Sequence, residues 1–244
     1  DASIRERNLL GNGQDLRLGV QLGARQQQID LSFTEPYFLG KSLSAGFDVF
    51  STRQDLQSQS SFDSEALGFA LRSGYRITET LSQTWSYTLR EDKVTDIASN
   101  ASLAVQEQEG EFITSSIGQP LLYDKRDDRL NPTAGYFVEL GNTVAGLGGD
   151  SNYLKNELSG GTFYQVFDKW IVNLNAGASY IIGIGDDIRI IDRFFLGGKS
   201  LRGFEDSGVG PRDGASGDSI GGNWFYRMTA GVTFPLGLPD EFGV

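Results

Sequence analysis

The side chains here that could do chemistry are carboxylates, arginines and lysines, because the 244 residues contain neither histidine nor cysteine. That removes Ser-His-Asp catalysis, imidazole bases, His-based metal ligation, thiolate metal sites and disulfides. Gly40-Lys41-Ser42 and Gly198-Lys199-Ser200 both look like the end of a phosphate-binding loop. The glycine required five positions before the second one is Glu35 in the first case and Arg193 in the other. Neither precedes a helical pattern. Asp124, Asp127 and Asp128 crowd into YDKRDDRLNPTAG without the glycine and terminal glutamate of a calcium loop, so they read as solvated charges in a turn. No catalytic residue, metal or cofactor is expected. There remains Arg202, set between Leu201 and Gly203-Phe204 in FFLGGKSLRGFEDSGVGPRDGASGDSIGGN. A guanidinium offers five donors in a fixed fork, enough to hold a flexible loop against carboxylates or carbonyls in one geometry. An exposed arginine in a mobile external loop is the plainer alternative.

The elements around this loop must position it. It runs from about Gly185 to Asn223, far longer than an ordinary connection, and such lengths mark functional loops or disorder. Its internal Gly and Asp pattern argues against disorder. On one side Trp170, Val172, Leu174, Ala176, Ala178, Tyr180, Ile182 and Ile184 alternate with polar or small residues. On the other, Trp224, Tyr226, Met228, Ala230, Val232 and Phe234 do the same. Such period-two runs are strands with one apolar face. The pattern recurs and predicts about ten strands, at 15–25, 29–34, 43–50, 65–77, 80–90, 112–123, 136–145, 153–167, 170–184 and 224–235. Segment 112–123 alternates poorly. No stretch holds a helical period.

Alternation alone fits a soluble sandwich or a membrane barrel. Several strands reach the roughly 9 to 11 residues needed to cross a bilayer at a tilt, against about 5 to 6 in globular sheets. The two-residue turns Thr78-Glu79 and Asp168-Lys169 fall on one side by strand parity, whereas connections 51–64, 91–111 and 185–223 fall on the other. Short turns at one rim and long loops at the other are the layout of outer-membrane barrels. Trp170 and Trp224 are expected on outward faces at opposite rims, where interfacial girdles belong. A sandwich with strand-end aromatics in its core remains the alternative.

Composition fits a barrel with a wet interior. Mean hydropathy is -0.28, and the expected inward set is Asp30, Asp48, Arg72, Arg76, Glu139, Lys155, Glu157 and Arg227. No run of about 18 apolar residues exists, so no membrane-spanning helix is expected. The net charge of -11 argues against nucleic-acid binding. The chain opens at Asp1 without a signal-like segment, so any export signal is expected upstream or already removed.

FFLGGKSLRGF, GVGPRD and GDSIGGN resemble the signature of the outer-membrane assembly factors of the BamA family and its relatives. FTEPYFLGKSLSAG, residues 33–46, looks like that family's strand, short periplasmic turn and next strand. DKRDDRLNPTAGY, residues 124–136, is similar to its turn in which a charged run precedes Pro and Gly. The resemblance covers nearly the whole chain. It implies an all-β fold, a sixteen-stranded antiparallel transmembrane barrel behind periplasmic POTRA domains, with loop 185–223 folded into the lumen. Arg202 would dock on the inner wall, with Leu201, Gly203 and Phe204 shaping the tip. Gly197, Gly198, Gly210, Pro211, Arg212, Asp213, Asp218, Gly221, Gly222 and Asn223 would support the base.

Residues 1–244 are accordingly expected to be a partial barrel domain. ASIRERNLLGNG resembles the end of the family's second strand, and PLGLPDEFGV the turn after its twelfth. The POTRA domains, the first strand and the last four strands would then lie elsewhere. An open sheet would leave roughly ten backbone groups unpaired on each edge, at several kcal/mol apiece in lipid. The strand 224–234 has no carboxylate, so an acidic partner for Arg202 is expected from another strand, from Glu205 or Asp206, or from outside this segment. The implied function is non-enzymatic insertion of barrel proteins into the outer membrane of a Gram-negative bacterium through a lateral gate. Implied partners are the outer-membrane bilayer, unfolded β-barrel substrates and periplasmic accessory lipoproteins. Alternatives are a two-partner secretion transporter, a paralogue serving autotransporters, and, in another class, a passive diffusion porin. An outer-membrane lipase lacks its usual histidine.

Overall fold

Eleven strands form one antiparallel sheet in simple sequence order, in a computed structural model that describes residues 1–198 and 200–235. They are β1 (Ala2–Leu9), β2 (Gln14–Leu22), β3 (Gln26–Glu35), β4 (Leu43–Asp55), β5 (Asp63–Arg76), β6 (Leu81–Thr95), β7 (Gly110–Asp124), β8 (Gly135–Gly149), β9 (Tyr153–Phe167), β10 (Trp170–Gly183) and β11 (Trp224–Thr233). Each strand pairs with the next, and β1 and β11 stand at the two ends of the order. Two single-turn helices, α1 (Gln57–Ser60) and α2 (Leu103–Gln106), sit in the connections after β4 and β6.

The strand beyond the ten that alternation predicts is β1, in the segment that the resemblance reads as the end of a strand. Its ASIRERNL sequence has one large outward apolar residue, Ile4, opposite Leu18, while Glu6 faces Leu16 on the same side. That alternation is too weak to read locally. Pairing with β2 supplies what the pattern lacks, and Arg5 Nε donates to the Asp15 carboxylate at 3.0 Å across the pair. The poorly alternating segment 112–123 is a full strand, β7. Pro120 sits within it, and the pairing of β7 with β6 skips from Leu121 to Gly118, as a residue without an N–H requires. Strands β4 to β8 also run further toward the long-loop rim than periodicity indicated. Connections 51–64 and 91–111 therefore shorten to 56–62 and 96–109.

Register fixes the two faces. Outward rows cross several strands, as in Val138, Gly160, Ala176 and Met228, and large apolar side chains such as Leu67, Leu71 and Tyr226 stand exposed on that face. Trp170 stacks on Phe234 at 5.1 Å and Trp224 on Tyr226 at 6.0 Å, both outward and at opposite ends of the strands. The opposite face carries the expected charges. Arg72 pairs there with Asp48 and donates to Ser32 at 3.0 Å, joining β3, β4 and β5. Few core residues lie between layers, because the outer face has no second sheet against it. The two buried apolar clusters form instead where the long loop meets the inward face.

Candidate functional site: a loop folded onto the inner wall

The connection between β10 and β11 consists of an entering limb (184–196), a tip (197–208) and a returning limb (209–223). The entering limb carries Ile188 and Ile190, an apolar pair in an otherwise Gly- and Asp-rich loop. Ile188 packs with Ala145, Tyr153 and Ile181. Ile190 packs with Phe62, Val94, Ala101 and Val105 from the two helix-bearing connections and β6. Full burial of such a side chain stabilises by about 1.5–3 kcal/mol. The partners from β6, β8, β9 and β10 are inward-facing, so the loop lies on the inner wall.

A charged anchor sits beside these clusters. Arg90 of β6 donates to Asp92 at 2.7 Å and to Asp192 of the loop at 2.9 Å, with the two carboxylates only 5% and 4% exposed. One guanidinium thus serves two buried acids. Burial pushes the Asp192 carboxyl above the usual carboxylate range against the pull of Arg90. Next to it, Arg193 staples the limbs together by donating to the Ile188 carbonyl at 3.1 Å and the Ile220 carbonyl at 3.2 Å.

The returning limb reaches the other connections. The Asp218 carboxylate accepts from the Ser61 hydroxyl at 2.6 Å and from the Ser102 N–H at 2.7 Å, bridging the ends of α1 and α2. Ser219 N–H donates to the Gln59 carbonyl at 2.8 Å, and the Ser60 hydroxyl donates to the Ser219 carbonyl at 2.9 Å. Three connections are thereby fused into one cap over the inner wall. Within the loop, bridges pair Phe194 with Gly222, Leu196 with Val209 and Arg212 with Ser219. Arg212 also donates to the Gly217 carbonyl at 2.9 Å and the Ser207 carbonyl at 3.2 Å, while Pro211 accepts from Ile220 N–H at 3.1 Å. Asp213 accepts from the Ser216 N–H at 2.8 Å and hydroxyl at 3.0 Å, which hold its carboxyl below the usual range. Asn223 is exposed, and its carbonyl accepts from Ile181 N–H at 2.9 Å.

Glycines matter at close approaches. Gly197 is buried at φ +142°, where a Cβ would run into the Glu205 carbonyl. At Gly221, φ +65°, a Cβ would lie 2.9 Å from Arg193 Cβ and from the Phe195 ring. Gly198 N–H donates to the Phe204 carbonyl at 2.9 Å and closes the tip. Gly210 has φ +138° with open space around it.

Leu201 is half-buried, whereas Arg202, Gly203 and Phe204 are exposed. Arg202 makes no hydrogen bond or ion pair among the described residues, and neither Glu205 nor Asp206 pairs with it. The expected docking of Arg202 on a wall carboxylate is therefore not formed by the strands described here. The tip is held instead by Arg227 of β11, which donates to the Ser200 carbonyl at 3.0 Å. Lys199, in the second phosphate-loop look-alike, lies outside the described residues, as does PLGLPDEFGV beyond Pro235. Asp127 accepts from the Thr133 N–H at 3.0 Å and Asp128 from the Leu130 N–H at 2.7 Å, so these acids organise their own turn.

Sequence reasoning missed Arg90, Asp192, Arg193 and the serines at 60, 61 and 102. The one available signal was the apolar IRII run, residues 188–191, inside a polar loop.

A single antiparallel wall, apolar outward and charged inward, with a long loop packed on its inner side, is the architecture of an outer-membrane β-barrel wall. The chain matches the Omp85 superfamily domain over residues 8–244 and belongs to that superfamily. It is 31% identical over 241 residues to an outer membrane protein assembly factor BamA of Neorickettsia risticii, covering 98% of this chain and 32% of the relative. It is 29% identical to a SAM50-like protein of Schizosaccharomyces pombe, covering 98% of this chain and 52% of that one. The crystal structure of BamA from Haemophilus ducreyi lacking POTRA domains 1-3 has the same fold, with a TM-score of 0.83 at 20% identity, covering 98% of this chain and 51% of the other. The chain spans about a third to a half of the length of these proteins.

Proposed function

We propose that the parent protein resides in the outer membrane of a Gram-negative bacterium and inserts other β-barrel proteins into it without catalysis. The observation that carries this reading is the loop fused to the inner wall through Arg90–Asp192 and Asp218, within a chain of the Omp85 superfamily whose similar proteins include assembly factors. Residues 1–244 are read as part of a larger barrel, with POTRA domains and further strands elsewhere in the parent chain. The unjoined β1 and β11 edges support this, because unpaired backbone groups in lipid cost several kcal/mol each. The lateral gate between the parent's first and last strands would offer an edge to incoming strands by β-augmentation. Unfolded barrel proteins are the substrates and periplasmic lipoproteins the accessory partners in this reading.

Arg202 is given a docking role on wall strands beyond β11. Support comes from the exposed guanidinium and from the Ser200 carbonyl held by Arg227 on the last described strand, which sets the tip beside that edge. The test is reconstitution of the full parent protein in proteoliposomes, following the folding of a denatured outer-membrane barrel substrate. Acceleration by the wild type and its loss in Arg202→Ala are expected. Unchanged insertion by Arg202→Ala overturns the arginine's role, and no acceleration by the wild type overturns the assembly reading. Steady open-channel conductance would instead indicate a diffusion porin.

A further inference from the structure

We propose that the outward face between β8 and β11 is a seat for one phospholipid of the periplasmic leaflet, its acyl chain in an apolar groove and its phosphate at Lys125. The groove has a volume of about 570 Å³, within the roughly 300–1,000 Å³ typical of ligand sites. Gly160, Ala176 and Ala178 form its floor, and Tyr136, Leu158 and Met228 its sides. Register explains the shape. Gly160 faces Ala176 across β9 and β10, and Leu158 faces Ala178, so small side chains adjoin on the outward surface between larger ones. Elsewhere on that surface the hollow is smaller, as beside Leu71, Trp85, Tyr87 and Ile117, where it is about 270 Å³.

What distinguishes this groove from ordinary lipid-facing surface is its end at the short-turn rim. Tyr136 lines the groove and also packs against Tyr123, with ring centroids 6.0 Å apart. Lys125 sits over the Tyr123 ring at 5.7 Å. The neighbouring acids are already engaged: Arg126 and Arg129 bind Asp124 at 2.9 and 3.2 Å, and Asp127 and Asp128 accept backbone N–H groups of the turn. Lys125 is exposed and makes no ion pair among the described residues. An uncompensated ammonium beside two phenols at the water boundary matches a phosphodiester, and the groove leading away from it matches an acyl chain. Short turns face the periplasm in outer-membrane barrels, which places the site in the phospholipid leaflet.

The test uses the full parent protein reconstituted with phosphatidylethanolamine bearing a diazirine on one acyl chain, with labelled peptides mapped by mass spectrometry. Label is expected to concentrate on β9 and β10 around residues 158–178, several-fold above β5. Lys125→Glu and, separately, Ala176→Leu should each reduce that excess several-fold. Ala176 is chosen because a Cβ at Gly160 would lie 3.0 Å from the Phe137 carbonyl and disturb the strand. Retained heat-modifiable migration on gels establishes that each variant is folded. Even labelling along the outer belt, or an excess unchanged by Lys125→Glu, overturns the proposal. Capture of a protein by a photoreactive residue replacing Ala178 also overturns it.

Discussion

Arg90 and Asp192, 102 positions apart in the chain, meet at 2.9 Å and tie the long loop to the inner wall. The contact converts a connection that could hang free above the barrel into part of its interior. Its energetics are asymmetric, because Arg90 also holds Asp92.

Removing the shared cation should cost far more than removing one acid. Arg90→Met leaves two carboxylates buried without a partner, and breaking a buried pair from one side costs about 3–5 kcal/mol. Asp192→Asn leaves Arg90 with Asp92 and should cost about 1–3 kcal/mol. Hydrogen exchange of loop amides in the two variants checks the order.

Asp218→Ala should detach the returning limb from both helix-bearing connections. Losing hydrogen bonds to a charged group costs about 1.5–3 kcal/mol each, and every 1.4 kcal/mol is tenfold in an opening equilibrium. Exchange at 57–61, 102–106 and 216–222 is expected to accelerate together by tenfold or more. Acceleration confined to the returning limb would mean that the three connections are not one unit.

Glycine substitutions should separate crowding from backbone strain. Gly197→Ala meets the Glu205 carbonyl and a positive φ together, whereas Gly203 at φ +90° has nothing within 4 Å of a new Cβ. Gly203→Ala should therefore cost about 1–2 kcal/mol from backbone conformation alone, and Gly197→Ala clearly more. Limited proteolysis of the tip in the two variants reads the difference.

Acidification should loosen the exposed turns before the strands. Hydrogen bonds from the Thr133 hydroxyl and the Ala134 N–H hold the Asp127 carboxyl well below its ordinary range, and Ser216 does the same for Asp213. A carboxyl with a depressed folded pKa contributes stability above its unfolded pKa, near 4, and loses it as pH falls through the folded value. Asp192 runs the other way: its raised pKa favours the folded loop most below the ordinary carboxylate range, and that contribution fades as pH rises through the raised value. Exchange at 125–134 and 212–217, corrected for intrinsic rates, should stay flat from pH 7 to 5 and rise below about 4.

The chain's local pattern was enough for ten of the eleven strands, for the two faces, for the outward tryptophans and for the existence of an organised loop between β10 and β11. Side-chain alternation is imposed by the pleat within a single strand, so it survives in a one-dimensional reading. β1 escaped the alternation pattern because Glu6 interrupts its outward face, and only the resemblance of ASIRERNLLGNG to the end of a family strand pointed to it before its pairing with β2 was seen. Strand ends at Asp55, Thr95 and Gly149 escaped for a similar reason, since ladder hydrogen bonds continue where apolar alternation has faded.

Alternation together with the resemblance to the BamA family was enough to read from the sequence a barrel wall with a glycine-rich loop containing Leu201-Arg202-Gly203-Phe204. The resemblance offered Arg212 and Asp218 as supports of the loop's base; only the tertiary structure added Arg90, Asp192 and Arg193 as what holds that loop in the described residues, with Arg202 exposed. The physical reason is distance along the chain. Ser61 and Asp218 are separated by 157 positions and Ser60 and Ser219 by 159, so no period or spacing encodes their meeting. It follows from the sheet's curvature and register, which bring three connections to one rim and leave the loop to fold onto the inward face.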